Sequence, residues 1–352
     1  MGENRGPYNW YDLRRQNRRA LKNRARKQLK RSNRTGSNLA PELPILNLGV
    51  ESETVQNGVI AGLLPPLYSI LTGDRLISAR SETPAQFNAL RKLAVGDQVL
   101  FDCKGDGSPT LTKLLPRRSW LSRLRADSTR ISLAGADEHV LAANVDLAVI
   151  VVSAVSPPFH PRLVDRYLIM CQYGQVQPLL CITKIDLAEM PDVSLYKALG
   201  LNVVAVSNKT RVGLDLLFSA IDGKCCVLTG HSGVGKSSIV NALLEQEMLP
   251  VKSVSDKTGK GRHTTVSTSL HVLGPQTYLI DTPGIRSLGL WNIEPETLRL
   301  YFREFAPFAN HCRYRDCAHS SEPDCAVRNA AKSGLISAER YDSYLRLLLN
   351  IN

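Results

Sequence analysis

The spacing of apolar and polar positions divides the chain into three textures. Between residues 55 and 115 short strand-like runs (Val59–Leu64, Leu67–Leu71, Leu76–Ala79, Gln98–Asp102 and Thr110–Leu115) are punctuated by Gly73-Asp74, Gly96-Asp97 and Gly105-Asp106-Gly107. Five short strands so closely spaced predict a small β-barrel of the OB type. From residue 145 the apolar runs become dense. Val145–Val152 and Leu179–Ile182 are apolar at nearly every position, as strands covered on both faces are. Between them Leu163, Val164, Tyr167, Leu168 and Cys171 recur at helical spacing, and Ile239, Val240, Leu243 and Leu244 mark another helix. Asn202–Val206, Cys225–Leu228 and Tyr278–Ile280 read as further strands, so this stretch predicts an open, doubly wound α/β sheet. Residues 294–309 and 337–349 read as helices, through Leu298, Tyr301, Phe302 and Phe305 and through Tyr341, Tyr344, Leu345 and Leu348. There is no internal repeat.

Composition adds little to this until charge is located. At 352 residues, 43% hydrophobic and 22% charged, the chain is long enough for two or three domains with real cores. It shows neither a membrane-length apolar run nor a secretory leader, and its eight cysteines fit a reducing compartment, so a cytoplasmic protein without a membrane partner is expected. Of the net charge of +12, residues 1–40 hold +10, from 12 Lys and Arg against Glu3 and Asp12. That arm has too few large apolar side chains to offset the entropy of ordering alone, and it is expected to be disordered until it meets RNA. The predicted division is the arm at 1–40, the barrel at 41–118, the α/β domain at 119–290 and a helical domain at 291–352.

The chemistry is concentrated in five places. Gly230, His231, Ser232, Gly233, Val234, Gly235, Lys236 and Ser237, followed by Ser238, match the phosphate-loop pattern between a strand and a helix. There backbone N–H groups face phosphate, Lys236 reaches the β- and γ-phosphates and Ser237 ligates Mg²⁺. Asp281, opening D-T-P-G at 281–284 on the end of a strand, is placed to hold that metal through water. Thr183, Lys184, Ile185 and Asp186 end another strand, where a carboxylate at 186 accepts from N1–H and the 2-amino group of guanine, a donor pair adenine lacks. Ser207 and Asn208, ahead of Lys209, follow a further strand. Cys312, Cys317, His319 and Cys325 offer three thiolates and an imidazole, suited to one structural Zn²⁺; His311 is a poorer ligand candidate, and Arg313, Arg315 and Arg328 surround the group. Cys103, Cys171, Cys181, Cys225 and Cys226 read as core residues.

Base-reading residues 183–186 and Ser207 precede the phosphate loop, whereas Gly261-Arg-His-Thr-Thr265 and D-T-P-G follow it. This order, with a barrel before it and C-x₄-C-x-H-x₅-C after it, resembles the ribosome-small-subunit-dependent GTPase A family over roughly residues 55–350. The resemblance implies a circularly permuted P-loop GTPase domain between an OB-fold and a helical zinc-binding domain. It also implies binding of the small ribosomal subunit and its rRNA, GTP hydrolysis to GDP stimulated by that subunit, and action late in subunit maturation. A monomer is expected. Two features qualify it. Thr183 stands where the base motif usually begins with Asn, keeping a hydroxyl but losing an amide. Ile285 follows Gly284, where many GTPases place a water-positioning Gln. His263 is then the nearby candidate for positioning water, with a contact to RNA or backbone as the alternative, and Thr264 or Thr265 senses the γ-phosphate through Mg²⁺. An ATPase of the same topology and a nucleotide-clamped RNA-binding factor with negligible turnover are the rival readings.

Overall fold

A computed structural model describes residues 55–64, 67–80, 93–103, 109–124, 138–246, 268–281 and 293–351. The basic arm, the G-R-H-T-T segment with His263, Thr264 and Thr265, and residues 282–284 lie outside them.

The first five strands are β1 (Val55–Leu64), β2 (Leu67–Thr72), β3 (Arg75–Arg80), β4 (Gln98–Asp102) and β5 (Thr110–Leu114). They close in the order β1-β2-β3-β5-β4 and back to β1, and only the β3–β5 pairing is parallel. Closure requires β1 to serve two neighbours: Val55–Val59 pair with β4, and Val59–Leu64 pair with β2 across a bulge at Ile60–Gly62. Alternate residues point inward, so Ile60, Tyr68, Ile70, Ala79, Val99, Phe101 and Leu111 fill the barrel. This is the predicted barrel, with strand ends within a few residues of expectation.

A two-stranded ribbon, β6 (Trp120–Leu124) and β7 (Glu138–Ala143), leads out of the barrel. Buried Asp97 anchors the connection, accepting from the Arg117 guanidinium at 2.6 and 2.7 Å and from the Ala94 N–H at 2.7 Å. The pattern of apolar positions did not reveal this ribbon.

The central sheet runs β10 (Asn202–Ala205), β9 (Gln177–Thr183), β8 (Leu147–Ser153), β11 (Cys225–Thr229), β13 (Thr277–Asp281), β12 (Ser269–Gly274). The first five are parallel, and β12 is antiparallel to β13 and joins the barrel through a Ser269–Gly62 pair. Every residue of β8 is buried, because both faces of the sheet are covered. Its side chains divide by alternation. Ala148, Ile150 and Val152 join one core with helix α1 (Pro161–Tyr173) and the C-terminal helices, whereas Leu147, Val149 and Val151 join another. That second core includes α3 (Leu214–Ile221) and α4 (Lys236–Gln246); a short α2 (Ser194–Ala198) lies between α1 and α3. The sheet, α1 and α4 match expectation, while β12, α2 and α3 are additions.

The helix expected at 294–309 is not one helix. It is α5 (Pro295–Leu298), 3₁₀ turns at Arg299–Tyr301 and Arg303–Phe305, and α6 (Ala306–Ala309). Phe302 breaks it with φ −105° and ψ 84°, and Pro307, which lacks an N–H and would crowd the preceding turn, starts a new segment. The break turns Phe302 and Phe305 into one cluster with Tyr344. Helix α7 (Ala326–Lys332) and the expected C-terminal helix, α8 (Ala338–Ile351), complete the chain. Among the described residues no helix is long and apolar enough to cross a membrane.

Candidate functional site

Parallel strands deliver their loops to one edge, and the candidate residues sit there, at the carboxyl ends of β8, β9, β10, β11 and β13. The phosphate loop leaves β11 beside β8. Gly230 backs so closely onto that strand that a Cβ would lie 2.2 Å from the Val151 carbonyl oxygen, and its φ is +145°. Val234 plugs the loop into the core, whereas His231, Ser232, Gly233, Ser237 and Ser238 are exposed. Lys236, the first residue of α4, folds back over the loop, donating at 2.7 Å to the carbonyls of Gly230 and His231. His231 Nδ1 lies 3.1 Å from the Ser232 carbonyl oxygen.

Asp281 follows directly on the Val227–Ile280 pair, so the sheet places it at the end of the strand next to the one that feeds the loop. The Asp281 carboxylate and the Ser237 hydroxyl at the helix start are oxygen donors of the hard kind that Mg²⁺ takes, and would be the residues to hold that ion.

The loop at residues 183–186 is tied to the phosphate loop by its first two residues. Thr183 is fully buried, and its Oγ1 lies 2.6 Å from the Val234 carbonyl oxygen and 3.1 Å from that of Val152. Lys184, held at φ +60°, donates its Nζ protons to the carbonyls of Gly233 (2.8 Å) and Ser156. Asp186 is exposed, and one of its oxygens accepts from buried Ser207 at 2.7 Å; the Ser207 hydroxyl in turn accepts from the Thr210 N–H at 3.1 Å. Ser207 thus orients the carboxylate. Ile185 turns the other way, into the core.

Lys184, Asp186, Leu187, Asn208, Lys209, Gly235 and Ser238 line one cavity of about 390 Å³. Three sequence segments expected to act together therefore meet. The loop after β8, whose Ser156 carbonyl secures Lys184, escaped sequence reasoning; the Pro157-Pro158 pair beside it signals a turn but not its partner.

Cys312, Cys317, His319 and Cys325 also converge, their ligating atoms all within 4.8 Å of one another. His319 Nδ1 is 3.5 Å from the Sγ atoms of both Cys312 and Cys325, and those sulfurs are 3.9 Å apart. A tetrahedral zinc with ordinary bond lengths requires edges of about 3.6 Å for N···S and about 3.8 Å for S···S. The site fits that ion. Burial and the neighbouring thiols push Cys317 up to about 12, and burial, aided by Arg299, lowers His319. The direction at His319 favours the neutral imidazole that ligation requires, and three thiolates crowded together would need a cation beside them.

The knuckle is braced by groups that its spacing does not disclose. His319 adopts φ +57° and meets the Phe305 ring edge-on, with centroids 5.8 Å apart. Glu322 accepts from the N–H groups of Ala318 (2.7 Å) and Ser320 (2.8 Å), and those bonds hold its carboxyl low against the opposing effect of burial. Arg299 donates to the Cys317 carbonyl at 2.7 Å, Tyr341 to that of His319 at 2.7 Å, and Tyr344 to that of Ala318. Helix α7 begins at Cys325, whose sulfur accepts from the Arg328 N–H at 3.4 Å.

Comparison with known proteins agrees with this geometry. The family model described as RsgA GTPase matches residues 114–291. A protein of Chlorobaculum parvum named small ribosomal subunit biogenesis GTPase RsgA is 38% identical over 303 residues, covering 83% of this chain and 97% of the relative. A protein of the same name from Sodalis glossinidius is 38% identical over 272 residues, 73% of this chain and 76% of its own. Among solved structures, YjeQ from Thermotoga maritima superposes with a TM-score of 0.66 at 26% identity, covering 84% of this chain and 98% of that one. YloQ, described as a circularly permuted GTPase, superposes at 0.64 and 29% identity, covering 86% and 96%.

Proposed function

The chain belongs to the RsgA GTPase family, and on that premise we propose that it binds the small ribosomal subunit and its rRNA and hydrolyses GTP late in that subunit's maturation. The observation that carries this reading is the single cavity in which Lys184, Asp186 and Asn208 face Gly235 and Ser238, base-reading and phosphate-binding groups within reach of one nucleotide.

In this proposal Asp186 selects guanine and Ser207 fixes its carboxylate. The backbone of residues 230–238 cradles the phosphates, and Lys236 exchanges its loop carbonyls for β- and γ-phosphate oxygens. Ser237 and Asp281, the latter through water, together with Thr264 or Thr265, would hold a Mg²⁺ ion, which neutralises charge on the phosphates when bound. These groups position and stabilise; they do not activate water. Ile285 offers no hydrogen bond for that task, so turnover is slow until the subunit completes the site, with His263 as the chain's own candidate for orienting water. Cys312, Cys317, His319 and Cys325 would hold one structural Zn²⁺ and stiffen an Arg-rich surface, Arg313, Arg315 and Arg328, for rRNA. The protein acts in the cytoplasm as a monomer, with the arm, barrel, GTPase and zinc-binding domains divided at residues 40, 118 and 290. Deleting residues 1–40 should weaken subunit binding and flatten its salt dependence.

The test is phosphate release from GTP and ATP, each with and without purified small subunits. Strong stimulation confined to GTP is expected. Equal slow rates in all four reactions would remove the ribosome from the mechanism.

A further inference from the structure

One side chain on the cavity wall has its hydrogen-bonding capacity unused. Asn208 follows Ser207 out of β10 and lines the cavity with Lys184 and Asp186. Its Oδ1 is buried and has no hydrogen-bond partner among the described residues. Its Nδ2 lies 3.5 Å from where a Cβ on Gly235 would stand, and Thr183 Oγ1 lies 3.8 Å from the same point. The carboxamide at 208, the hydroxyl at 183 and the phosphate loop therefore converge.

Guanine donates along its N1 and 2-amino edge and accepts at O6 and N7. A site that encloses the base leaves the accepting edge unsatisfied unless a donor faces it. Thr183 has a single hydroxyl proton, and both neighbours within its reach, the carbonyls of Val234 and Val152, are acceptors that claim it. Lys184 is engaged by the carbonyls of Gly233 and Ser156. Asp186 can only accept. The amide of Asn208 is the neutral side-chain donor left on the wall formed by the β9 and β10 loops, across from the Ser238 hydroxyl on the phosphate-loop side. With the phosphates on the loop and the N1 edge at Asp186, N7 faces the phosphate-loop side of the base, the side on which Nδ2 lies.

We infer that the Asn208 side chain donates to N7 of guanine, supplying from the β10 loop the amide that the base motif lacks at Thr183. This rests on the reading of Asp186 as the carboxylate that selects guanine. It makes Asn208 a determinant of affinity for the purine's imidazole edge, while Asp186 discriminates between guanine and adenine.

Calorimetric titration of the full chain with GDP and with 7-deaza-GDP, in which N7 is replaced by C–H, tests it. The native protein should bind 7-deaza-GDP about five- to tenfold more weakly than GDP, the size of one neutral hydrogen bond. Asn208→Ala and Asn208→Ser should bind both nucleotides alike, at the native protein's affinity for 7-deaza-GDP. Equal binding of the two nucleotides by the native protein would overturn the inference without any variant having to fold. So would full discrimination retained in Asn208→Ala. The premise is tested separately with Asp186→Asn, which should gain affinity for xanthosine diphosphate. No such gain would show the Asp186 reading at fault, whatever the 7-deaza result.

Discussion

Arg340 Nη1 lies 2.6 Å from Asp165 Oδ1, a buried ion pair that joins the C-terminal helix to the first helix of the nucleotide-binding sheet. The same guanidinium pairs through Nε with Glu304 at 2.6 Å and lies over the Phe302 ring at 4.4 Å. Tyr196 donates to the Asp165 carboxylate at 3.1 Å. One cation thus binds α1, the broken helical segment and α8. Since α1 begins a few residues beyond the Ser156 carbonyl that secures Lys184, the region carrying the Cys/His cluster is connected to the cavity at Lys184 through continuous packing.

Removing that cation should cost more than removing any surface charge. Arg340→Met leaves buried Asp165 and half-buried Glu304 without their partner, and a loss of about 3–5 kcal/mol is expected in urea unfolding. Arg340→Lys should recover only part of it, because one ammonium does not reproduce the forked geometry. A loss below about 1 kcal/mol, the range of exposed pairs, would show the network to be dispensable.

Thr183→Val keeps the shape of a fully buried side chain and deletes its hydroxyl. The Val234 carbonyl then loses its donor, and unfolding should become easier by about 1–3 kcal/mol. Because that bond anchors the phosphate loop, GDP affinity should fall as well. Native GDP affinity in this variant would show that the two loops hold their positions independently.

Gly230→Ala inserts a methyl group where 2.2 Å separates the Cβ position from a backbone oxygen of β8. Neither the strand nor the loop can yield cheaply, so nucleotide binding should drop by at least an order of magnitude while the barrel and zinc knuckle stay folded. Titration with GDP and far-ultraviolet dichroism measure the two effects separately.

Metal analysis of the purified protein should return one zinc per chain, falling to none in Cys317→Ser. Chelation should loosen the region around α7 and α8, read as faster amide exchange there, because Cys325 starts α7 and the His319 and Ala318 carbonyls anchor Tyr341 and Tyr344 of α8. Unchanged exchange after complete zinc loss would assign the ordering to the aromatic cluster alone.

The elements legible in the chain were those with a strong local period. Short runs punctuated by Gly-Asp turns exposed the barrel strands, apolar runs exposed β8, β9 and β11, and helical spacing exposed α1, α4 and α8. The ribbon β6–β7 was hidden because Trp120–Leu124 mixes serine and arginine into its strand, and 294–309 was misread because periodicity does not register the stop at Phe302 and Pro307. At the site, the motifs at 183–186, 230–238 and 312–325 stood out by residue type and spacing.

The sequence by itself therefore determined the kinds of chemistry present, in what order, and the layers that would carry them, since side-chain type and short-range period are local properties. Only the tertiary structure decided which of these groups meet. That Thr183 gives its proton to Val234, that Asn208 stands beside Gly235, and that Arg340 reaches Asp165 and Glu304 all follow from strand order and from where each connection crosses the sheet. Those choices depend on burying both faces of the sheet at once, a condition no short stretch of sequence contains.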